Sequence, residues 1–301
     1  MVKRAFAAIG NFDGVHRGHQ FLLAETAKLA ADHDARAGVV VFEPHPRRFF
    51  NPDEPAFRLT TDKERERLLR AYGVEEIFTL TFDAALAALS PEDFVRSILK
   101  DRLDLVGVVT GAEFVFGKAR AGDAALLAEL CASVGIVARS LEPIAQRDGE
   151  EKIGSSAVRA ALRAGDVGAA ARLLGRPWRV GGVVAEGRKL GRTIGFPTAN
   201  VTLGDLIEPK FGVYAVRIDV GGDTYGGVAN FGRRPTVGSD APLLEAHLFD
   251  FAGDLYGKSV NVSFVDFIRD EKKFDSIDAL KAQIAADAAA ARDRLSRADA
   301  G

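Results

Sequence analysis

The sequence has 301 residues, which is enough for two domains with separate hydrophobic cores. Hydrophobic residues make up 47% and charged residues 27%, as in globular proteins, and the formal net charge of −2 gives no electrostatic basis for binding nucleic acid. A single cysteine excludes an internal disulfide, and no apolar run approaches the ~18 residues of a membrane span, so we expect a cytoplasmic protein that does not bind membranes.

The first segment predicts a strand, a glycine-rich turn and a helix. The apolar residues 5–9 precede the sequence GNFDGVHRGH, residues 10–19, and an amphipathic stretch, residues 20–30, follows. His16 and His19 are three residues apart, so at a helix start they lie on one face, beside the free N–H groups that bind phosphates. The sequence matches neither GxGxxG nor GxxxxGK[ST], which excludes the dinucleotide fingerprint and the P-loop.

The rest of the first half alternates between strand and helix patterns. Apolar runs predict buried parallel strands at residues 38–42, 77–80, 106–110 and 136–141. Helical patterns lie between them and begin at capping signals around Thr61 and Ser90, and Cys131 falls in an apolar row that predicts packing rather than catalysis. This alternation predicts a doubly wound α/β domain that binds ligands at the carboxyl ends of its strands.

The pattern changes near Trp178, where glycine-punctuated segments with period two begin. Alternating apolar residues in 214–220, followed by Gly221 and Gly222, predict a hairpin within a small closed antiparallel barrel. A final helix is predicted from Ser276 to about Leu295, and the alanine-rich, charged segment 287–301 is expected to fray at its end. Its apolar stripe is expected to consist of Ile277, Leu280 and Ile284.

Two segments of the barrel region contain candidate site residues. Residues 187–200 read GRKLGRTIGFPTAN, in which Gly191 and Gly195 allow close approach to a phosphate. Thr198 and Asn200 share one face and offer the oxygen ligands that Mg²⁺ prefers, although a glycine-rich loop with turn-forming residues explains the same pattern. Further on, Glu245 alternates onto the inner face of a strand, where a carboxylate is costly without a partner or a function.

These motifs resemble those of one enzyme family. HRGH contains the HxGH signature of nucleotidyltransferases, and residues 10–20, GNFDGVHRGHQ, resemble the longer form found in bacterial bifunctional riboflavin kinase/FMN adenylyltransferases, or FAD synthetases. Residues 187–200 resemble the riboflavin kinase signature, GRxxGFPTAN, so the resemblance covers nearly the whole chain. It implies an adenylyltransferase domain over residues 1–176 and a riboflavin kinase domain over residues 177–301. Riboflavin, FMN and ATP are the implied partners, with Mg²⁺ as cofactor.

The resemblance also assigns roles to residues. His16 and His19 are expected to stabilise the ATP phosphates during attack on the α-phosphate, and Glu245 to be the general base for the ribityl 5′-hydroxyl. The remaining phosphate-binding candidates are Gly10, Asn11, Phe12, Gly14, Ser155, Ser156, Arg159, Gly191, Gly195, Thr198 and Asn200. Thr198 and Asn200 are also the metal candidates. The flavin-binding candidates are Pro44, Pro46, Glu113, Phe114 and Arg234.

Two departures from the family pattern leave alternatives open. Glu113 stands where the family usually has Asp or Asn, and Val115 where it often has Arg. The alternative is therefore a riboflavin kinase whose adenylyltransferase domain is impaired. A non-catalytic flavin-binding protein and a cytidylyltransferase are the other hypotheses, and the pattern leaves the oligomeric state open.

Overall fold

The computed structural model describes residues 3–142, 153–185, 196, 198–233 and 242–300. The chain forms two units, one of Met1–Pro55 with Asp62–Gly154 and the other of Ala56–Thr61 with Ser155–Gly301. None of the helices in the described part of the chain has the length and apolarity needed to cross a membrane. The limits of the two catalytic domains at residues 1–176 and 177–301 stay a prediction.

The first unit contains the predicted parallel sheet. Its strands are β1 (Ala5–Ile9), β2 (Arg36–Glu43), β3 (Glu76–Thr81), β4 (Gly107–Gly111) and β5 (Val137–Leu141). They are ordered β3-β2-β1-β4-β5, and every neighbouring pair is parallel. Because the order reverses beside β1, the carboxyl end of β1 is the point where such folds bind ligands.

Helices cover both faces of this sheet, as the doubly wound prediction requires. They are α1 (Arg17–Asp32), α2 (Pro46–Phe50), α3 (Asp62–Ala71), α4 (Ala84–Ala87), α5 (Pro91–Asp93), a π-helix (Phe94–Arg102), a 3₁₀ turn (Lys118–Arg120) and α6 (Ala124–Ser133). Alternate residues of β1 join different cores: Phe6 packs in the core that includes α1 and α3, and Ala7 in the one that includes the π-helix and α6. Cys131 lies in the second core, where burial raises the pKa of its thiol to about 12.

The second unit contains the predicted barrel. Its elements are α7 (Ser155–Ala164), α8 (Val167–Leu174), β6 (Arg179–Val183), β7 (Ala199–Thr202), β8 (Gly212–Val220), β9 (Asp223–Gly232), β10 (Leu243–Leu248), β11 (Ser259–Arg269) and α9 (Ile277–Ala300). The antiparallel sheet has the order β6-β11-β8-β9-β10-β7, and a bridge between Ala185 and Asn200 nearly closes it. Gly221 and Gly222, both with positive φ, form the predicted turn between β8 and β9.

The final helix differs from its prediction. It continues to Ala300, past the predicted end at about Leu295, and Ala291 and Leu295 are buried in a core that includes residues of β8 and β9. Ile277, expected on the apolar stripe, is 63% exposed. Packing of the second half of α9 on the barrel stabilises a segment whose sequence is polar and rich in alanine.

A short segment of the first half belongs to the second unit. Within residues 56–61, Phe57 and Leu59 are buried, and the carbonyl oxygen of Leu59 accepts a hydrogen bond from Nε1 of Trp178 at 2.9 Å. Arg58 pairs with Leu206 in an isolated bridge. No motif in the sequence marks this segment as part of the barrel unit.

Candidate active sites

The turn between β1 and α1 has a strained backbone. Phe12 and Val15 adopt positive φ values of 51° and 41°, and Gly14 one of 84°. Left-handed backbone costs about 1–3 kcal/mol in a non-glycine residue and is least favourable for a β-branched one such as Val15. Phe12 and Val15 are fully buried, so packing of the surrounding core maintains this conformation. Strain that the fold maintains in this way is typical of a functional site.

His16 and His19 are held together at the start of α1. Nδ1 of His16 accepts a hydrogen bond from the backbone N–H of His19 at 3.3 Å, and the two rings stack with centroids 3.6 Å apart. Because Nδ1 of His16 is an acceptor, the neutral ring carries its proton on Nε2 and can donate it. The sequence prediction that the two side chains share one face is seen in the stacking.

The His19 ring is held in its neutral form. Its Nδ1 atom is shielded from solvent and has no hydrogen-bond partner among the described residues. Desolvation, with a smaller effect of His16, lowers the pKa of His19 well below its usual value of 6.5. At neutral pH the ring can therefore stabilise a bound anion by donating a hydrogen bond from its N–H group, but not by a positive charge of its own.

A cavity of about 240 Å³ opens beside these rings and is called here the histidine cavity. Its lining includes Gly10, Phe12, His16, His19, Glu113 and Phe114. It lies at the carboxyl end of β1 and the amino end of α1, where free backbone N–H groups favour phosphate. The predicted residues Gly10, Phe12, His16 and His19 are thus brought together, with Gly14 in the strained turn beside them.

Gly18 is predicted to be necessary for the position of His16. A Cβ atom at Gly18 would lie 3.2 Å from Nδ1 and Cε1 of the His16 ring. We expect Gly18→Ala to displace the ring by a few tenths of an ångström and to lower the adenylyl transfer that the sequence predicts by about tenfold. Gly168→Ala is the matched control because Gly168 is also the second residue of a helix, α8, and its Cβ would make only ordinary contacts. Equal activity of the two variants would refute this role.

A second cavity in the first unit, of about 870 Å³, is called here the phenylalanine cavity. Six phenylalanines line it: Phe42, Phe50, Phe82, Phe94, Phe114 and Phe116. Pro46 and Asn11 also line it, and Oδ1 of Asn11 is buried without a hydrogen-bond partner among the described residues. Pro44 is exposed. Size and aromatic lining suit a flat ring system such as isoalloxazine.

The histidine and phenylalanine cavities share part of their lining. Gly10, Glu113 and Phe114 line both, so ligands in the two cavities would meet at these residues. Glu113, which departs from the family pattern, therefore lies where the two cavities meet.

The turn also depends on Arg65, a residue that the sequence analysis missed. Its side chain is buried, pairs with Glu43 at 2.6 Å and donates to the carbonyl oxygen of Asn11 at 3.4 Å. Buried arginines are rare unless paired. The position of Arg65 four residues before Leu69 on α3 was the available signal, but it lies in an unbroken charged run, residues 62–67, with five other charged residues.

In the second unit, polar residues form a row across three strands. Glu245 on β10 is paired with Asn200 on β7 and with Asn230 on β9. Directly paired residues of antiparallel strands point to the same face, so the three side chains are neighbours. Asn230 was not predicted as a site residue, because this neighbourhood depends on the register between strands.

The row borders a cavity of about 300 Å³, called here the barrel cavity. Glu245 and Asn230 line it together with Thr198, His247, Glu271 and Lys272. Asn200 is 7% exposed, and its Oδ1 atom is shielded with no hydrogen-bond partner among the described residues. An unpaired buried oxygen next to a carboxylate indicates an absent partner such as a cation or a donor group.

The wall that α9 contributes to this cavity is fixed by a part-buried ion pair. Arg269 at the end of β11 donates to both carboxylate oxygens of Asp287, at 2.8 and 2.6 Å, and Gln283 donates to the same carboxylate. Leu280 and Ile284 of the helix then face the cavity. The sequence alone predicts no function for this region, since a charged segment before a helix is common.

The other predicted site residues lie either in the second unit or outside the described residues. Ser155, Ser156 and Arg159 belong to the second unit, at the start of α7. Nε of Arg159 donates to the carbonyl oxygen of Phe57 at 2.8 Å, and its guanidinium lies over the Phe57 ring. Gly191, Gly195 and Arg234 lie outside the described residues.

Comparison with known proteins gives a family match for each half of the chain. Residues 2–157 match the model of the FAD synthetase family, and residues 174–295 match that of riboflavin kinase. A bifunctional riboflavin kinase/FMN adenylyltransferase of Pseudomonas fluorescens is 43% identical over 95% of this chain and 91% of its own length.

This chain belongs to the bifunctional riboflavin kinase/FMN adenylyltransferase family. Relatives of the same description are 41% identical in Escherichia coli K12, over 95% of this chain and 91% of theirs, and 36% identical in Bacillus subtilis, over 94% and 90%. A crystal structure described as a macrolide-efflux protein from Streptococcus pneumoniae has a TM-score of 0.85 at 33% identity, covering 94% of this chain and 92% of that one. Because both family domains are present, the bifunctional prediction is confirmed over the monofunctional alternative.

Proposed function

We propose that this chain converts riboflavin to FAD in two ATP-dependent steps at the sites described above. The first step is riboflavin + ATP → FMN + ADP, and the second is FMN + ATP → FAD + pyrophosphate. The observation that carries the proposal is that each unit has its own cavity around a predicted catalytic group, His16 and His19 in one and Glu245 in the other. The catalytic-domain limits of 1–176 and 177–301 are part of the proposal.

In the kinase step, Glu245 would accept the proton of the ribityl 5′-hydroxyl. The hydroxyl oxygen then bonds to the γ-phosphorus of ATP, while the bond from that phosphorus to the β-phosphate oxygen breaks and ADP leaves. Asn230, beside Glu245 in the row, can hold the hydroxyl or the carboxylate in position through its amide.

Magnesium fits the oxygen atoms at this site. The unpaired Oδ1 of Asn200 and the hydroxyl of Thr198 are hard ligands of the kind that Mg²⁺ takes together with substrate phosphates. When bound there, Mg²⁺ neutralises charge on the phosphates of ATP.

Loss of the Asn200 oxygen should be visible as a changed Mg²⁺ requirement. In Asn200→Ala, we expect the Mg²⁺ concentration for half-maximal FMN formation to rise about tenfold, because one ligand atom is lost. FAD formation from supplied FMN should stay unchanged. Asn261→Ala, on β11 of the same barrel and outside the cavity lining, is the control. An unchanged Mg²⁺ requirement in Asn200→Ala would remove Asn200 as a ligand.

In the adenylyl transfer, an oxygen of the FMN phosphate would attack the α-phosphorus of ATP, and pyrophosphate would leave. The step requires alignment and stabilisation of negative charge, and no covalent bond to the protein. His16 and His19 would donate their N–H groups to phosphate oxygens at the histidine cavity, with the flavin ring in the phenylalanine cavity. Ser155, Ser156 and Arg159 are proposed to hold the triphosphate.

The direct test is to incubate the purified protein with riboflavin, excess ATP and Mg²⁺ and to separate the flavins by chromatography over time. FMN should appear first and FAD should accumulate from it. FMN alone would show an active barrel site and an inactive first unit, which would contradict the adenylyl-transfer half of the proposal. The absence of both products would contradict all of it.

A further inference from the structure

The rim of the phenylalanine cavity contains a turn of residues 117–121, called here the pinned turn. Phe116 and Gly122 on either side of it exchange two backbone hydrogen bonds of 3.0 Å. The N–H of Lys118 donates to the carbonyl oxygen of Leu89 at 2.7 Å, and a Cβ at Gly117 would lie 2.9 Å from Pro91. The turn is thus fixed at both ends and in its middle.

The pinned turn also contains unusual backbone geometry. Ala119 and Arg120 are consecutive non-glycine residues with positive φ values, 54° and 60°. Two such residues in succession are unfavourable unless the surrounding contacts impose them. The fixed conformation directs Lys118 and Arg120, both lining residues, to the cavity.

The charges around this cavity are unbalanced. Arg47 lines it too, but its guanidinium is engaged by the Glu54 carboxylate, which raises the pKa of Arg47. Lys118 and Arg120 make no ion pair with any other described residue, and Glu113 is the one carboxylate among the described lining residues. An aromatic cavity lined by two cations outside any described ion pair and by a single carboxylate suits a ligand that combines a ring with a negative charge.

The position of the turn in the chain connects these cations with the reaction. Residues 113–120 line the cavity continuously, beginning at Glu113 and Phe114, which also line the histidine cavity. A flavin phosphate that reacts with ATP has to reach those two residues. The pinned turn follows them directly and supplies positive charge in the same segment.

We infer that Lys118 and Arg120 bind the 5′-phosphate of FMN and make this cavity selective for phosphorylated over unphosphorylated flavin. The inference rests on the proposed placement of the flavin in the phenylalanine cavity. A flavin without a phosphate offers these cations no charged partner, whereas a phosphate dianion forms charge-assisted hydrogen bonds with both. The two side chains act in binding, before the chemical step.

The experiment compares the full-length protein with the double variant Lys118→Gln, Arg120→Gln. FAD formation is measured from supplied FMN and ATP, so the measured rate does not depend on the kinase step. Lumiflavin, which has the ring but neither ribityl chain nor phosphate, is added as a competitive inhibitor that the kinase site cannot phosphorylate. We expect the KM for FMN to rise on the order of tenfold or more, with kcat and the inhibition constant of lumiflavin within about twofold of the wild type.

Salt supplies a second readout. The KM of the wild type for FMN should rise with ionic strength, and this slope should become shallower in the double variant, because screened charges have been removed. Arg96→Gln, an exposed arginine on the π-helix away from the cavity lining, is the control and should keep both the KM and the slope. A kcat for FAD formation within about twofold of the wild type shows that the first unit of each variant is folded.

The other outcomes separate the inference from the proposal beneath it. If lumiflavin competes but the double variant keeps both the KM for FMN and the inhibition constant of lumiflavin, the cations are solvated and the inference is wrong. The placement of the flavin in the cavity then still holds. If the double variant binds FMN and lumiflavin more weakly by the same factor, the turn maintains the shape of the cavity and does not select for the phosphate, which also overturns the inference. If lumiflavin fails to compete in the wild type, the cavity is not the flavin site and both statements fall.

Discussion

Glu245→Gln is expected to lower FMN formation from riboflavin by about 10²- to 10⁴-fold, the range for loss of a general base. The amide keeps the size of the side chain and its place in the row with Asn200 and Asn230, but it cannot accept the hydroxyl proton. FAD formation from supplied FMN should stay within twofold of the wild type. Both rates can be measured on the same preparation by flavin chromatography.

Glu271→Gln is the matched control for this prediction. Glu271 is a second carboxylate lining the barrel cavity, but it lies against the backbone of Gly232 and outside the row of polar residues. We expect its replacement to reduce FMN formation less than tenfold. A kinase rate in Glu245→Gln near that of the control would show that Glu245 is not the base.

His19→Gln is expected to have the converse effect. FAD formation from supplied FMN should fall by about 10²- to 10³-fold, the usual effect of losing one preorganised donor to developing negative charge, because the flexible glutamine amide does not keep its N–H groups in the place of the imidazole N–H. Riboflavin phosphorylation should be unchanged, because the kinase site lies in the other unit. Arg17→Gln is the control at an exposed neighbour in the motif. If the control and His19→Gln lose FAD formation equally, the effect belongs to the helix start and not to the imidazole.

The same variant has an expected signature in stability. Burial lowers the pKa of His19, so the folded state keeps the ring neutral while the unfolded chain protonates it near its usual pKa of about 6.5. As the pH falls below about 6.5, the unfolded state binds the additional proton, and stability that is fully present above this pH is lost. His19→Gln removes this contribution, so its Tm should decline less steeply between about pH 7 and pH 5 than that of the wild type or Arg17→Gln. Parallel Tm profiles would contradict the neutral, desolvated ring.

Much of the architecture could be predicted because it depends on local pattern. Apolar runs identified the strands of the parallel sheet, and alternation identified the barrel and the inward-facing Glu245. His16 and His19 could be placed together from their spacing alone, since side chains three positions apart at a helix start lie on the same face.

The remaining features depend on contacts between residues distant in sequence. Asn230 becomes a neighbour of Glu245 only through the register of β9 and β10, and Arg269 meets Asp287 only once α9 lies on the barrel. The second half of α9 has a polar, alanine-rich sequence, and its order comes from Ala291 and Leu295 packing on the barrel. Local propensity does not contain such information.

The membership of residues 56–61 in the barrel unit has a consequence for how this enzyme can be divided. Phe57 and Leu59 are buried in this unit, and the carbonyl of Leu59 accepts the hydrogen bond of Trp178, although more than a hundred residues separate them in the chain. A gene fragment that begins at α7 would encode every strand of the barrel and still lack part of its interior. A recombinant between two relatives therefore has to take residues 56–61 and the chain from α7 onward from the same parent to keep this unit intact. A single crossover near residue 155 would combine the barrel of one relative with the 56–61 segment of the other.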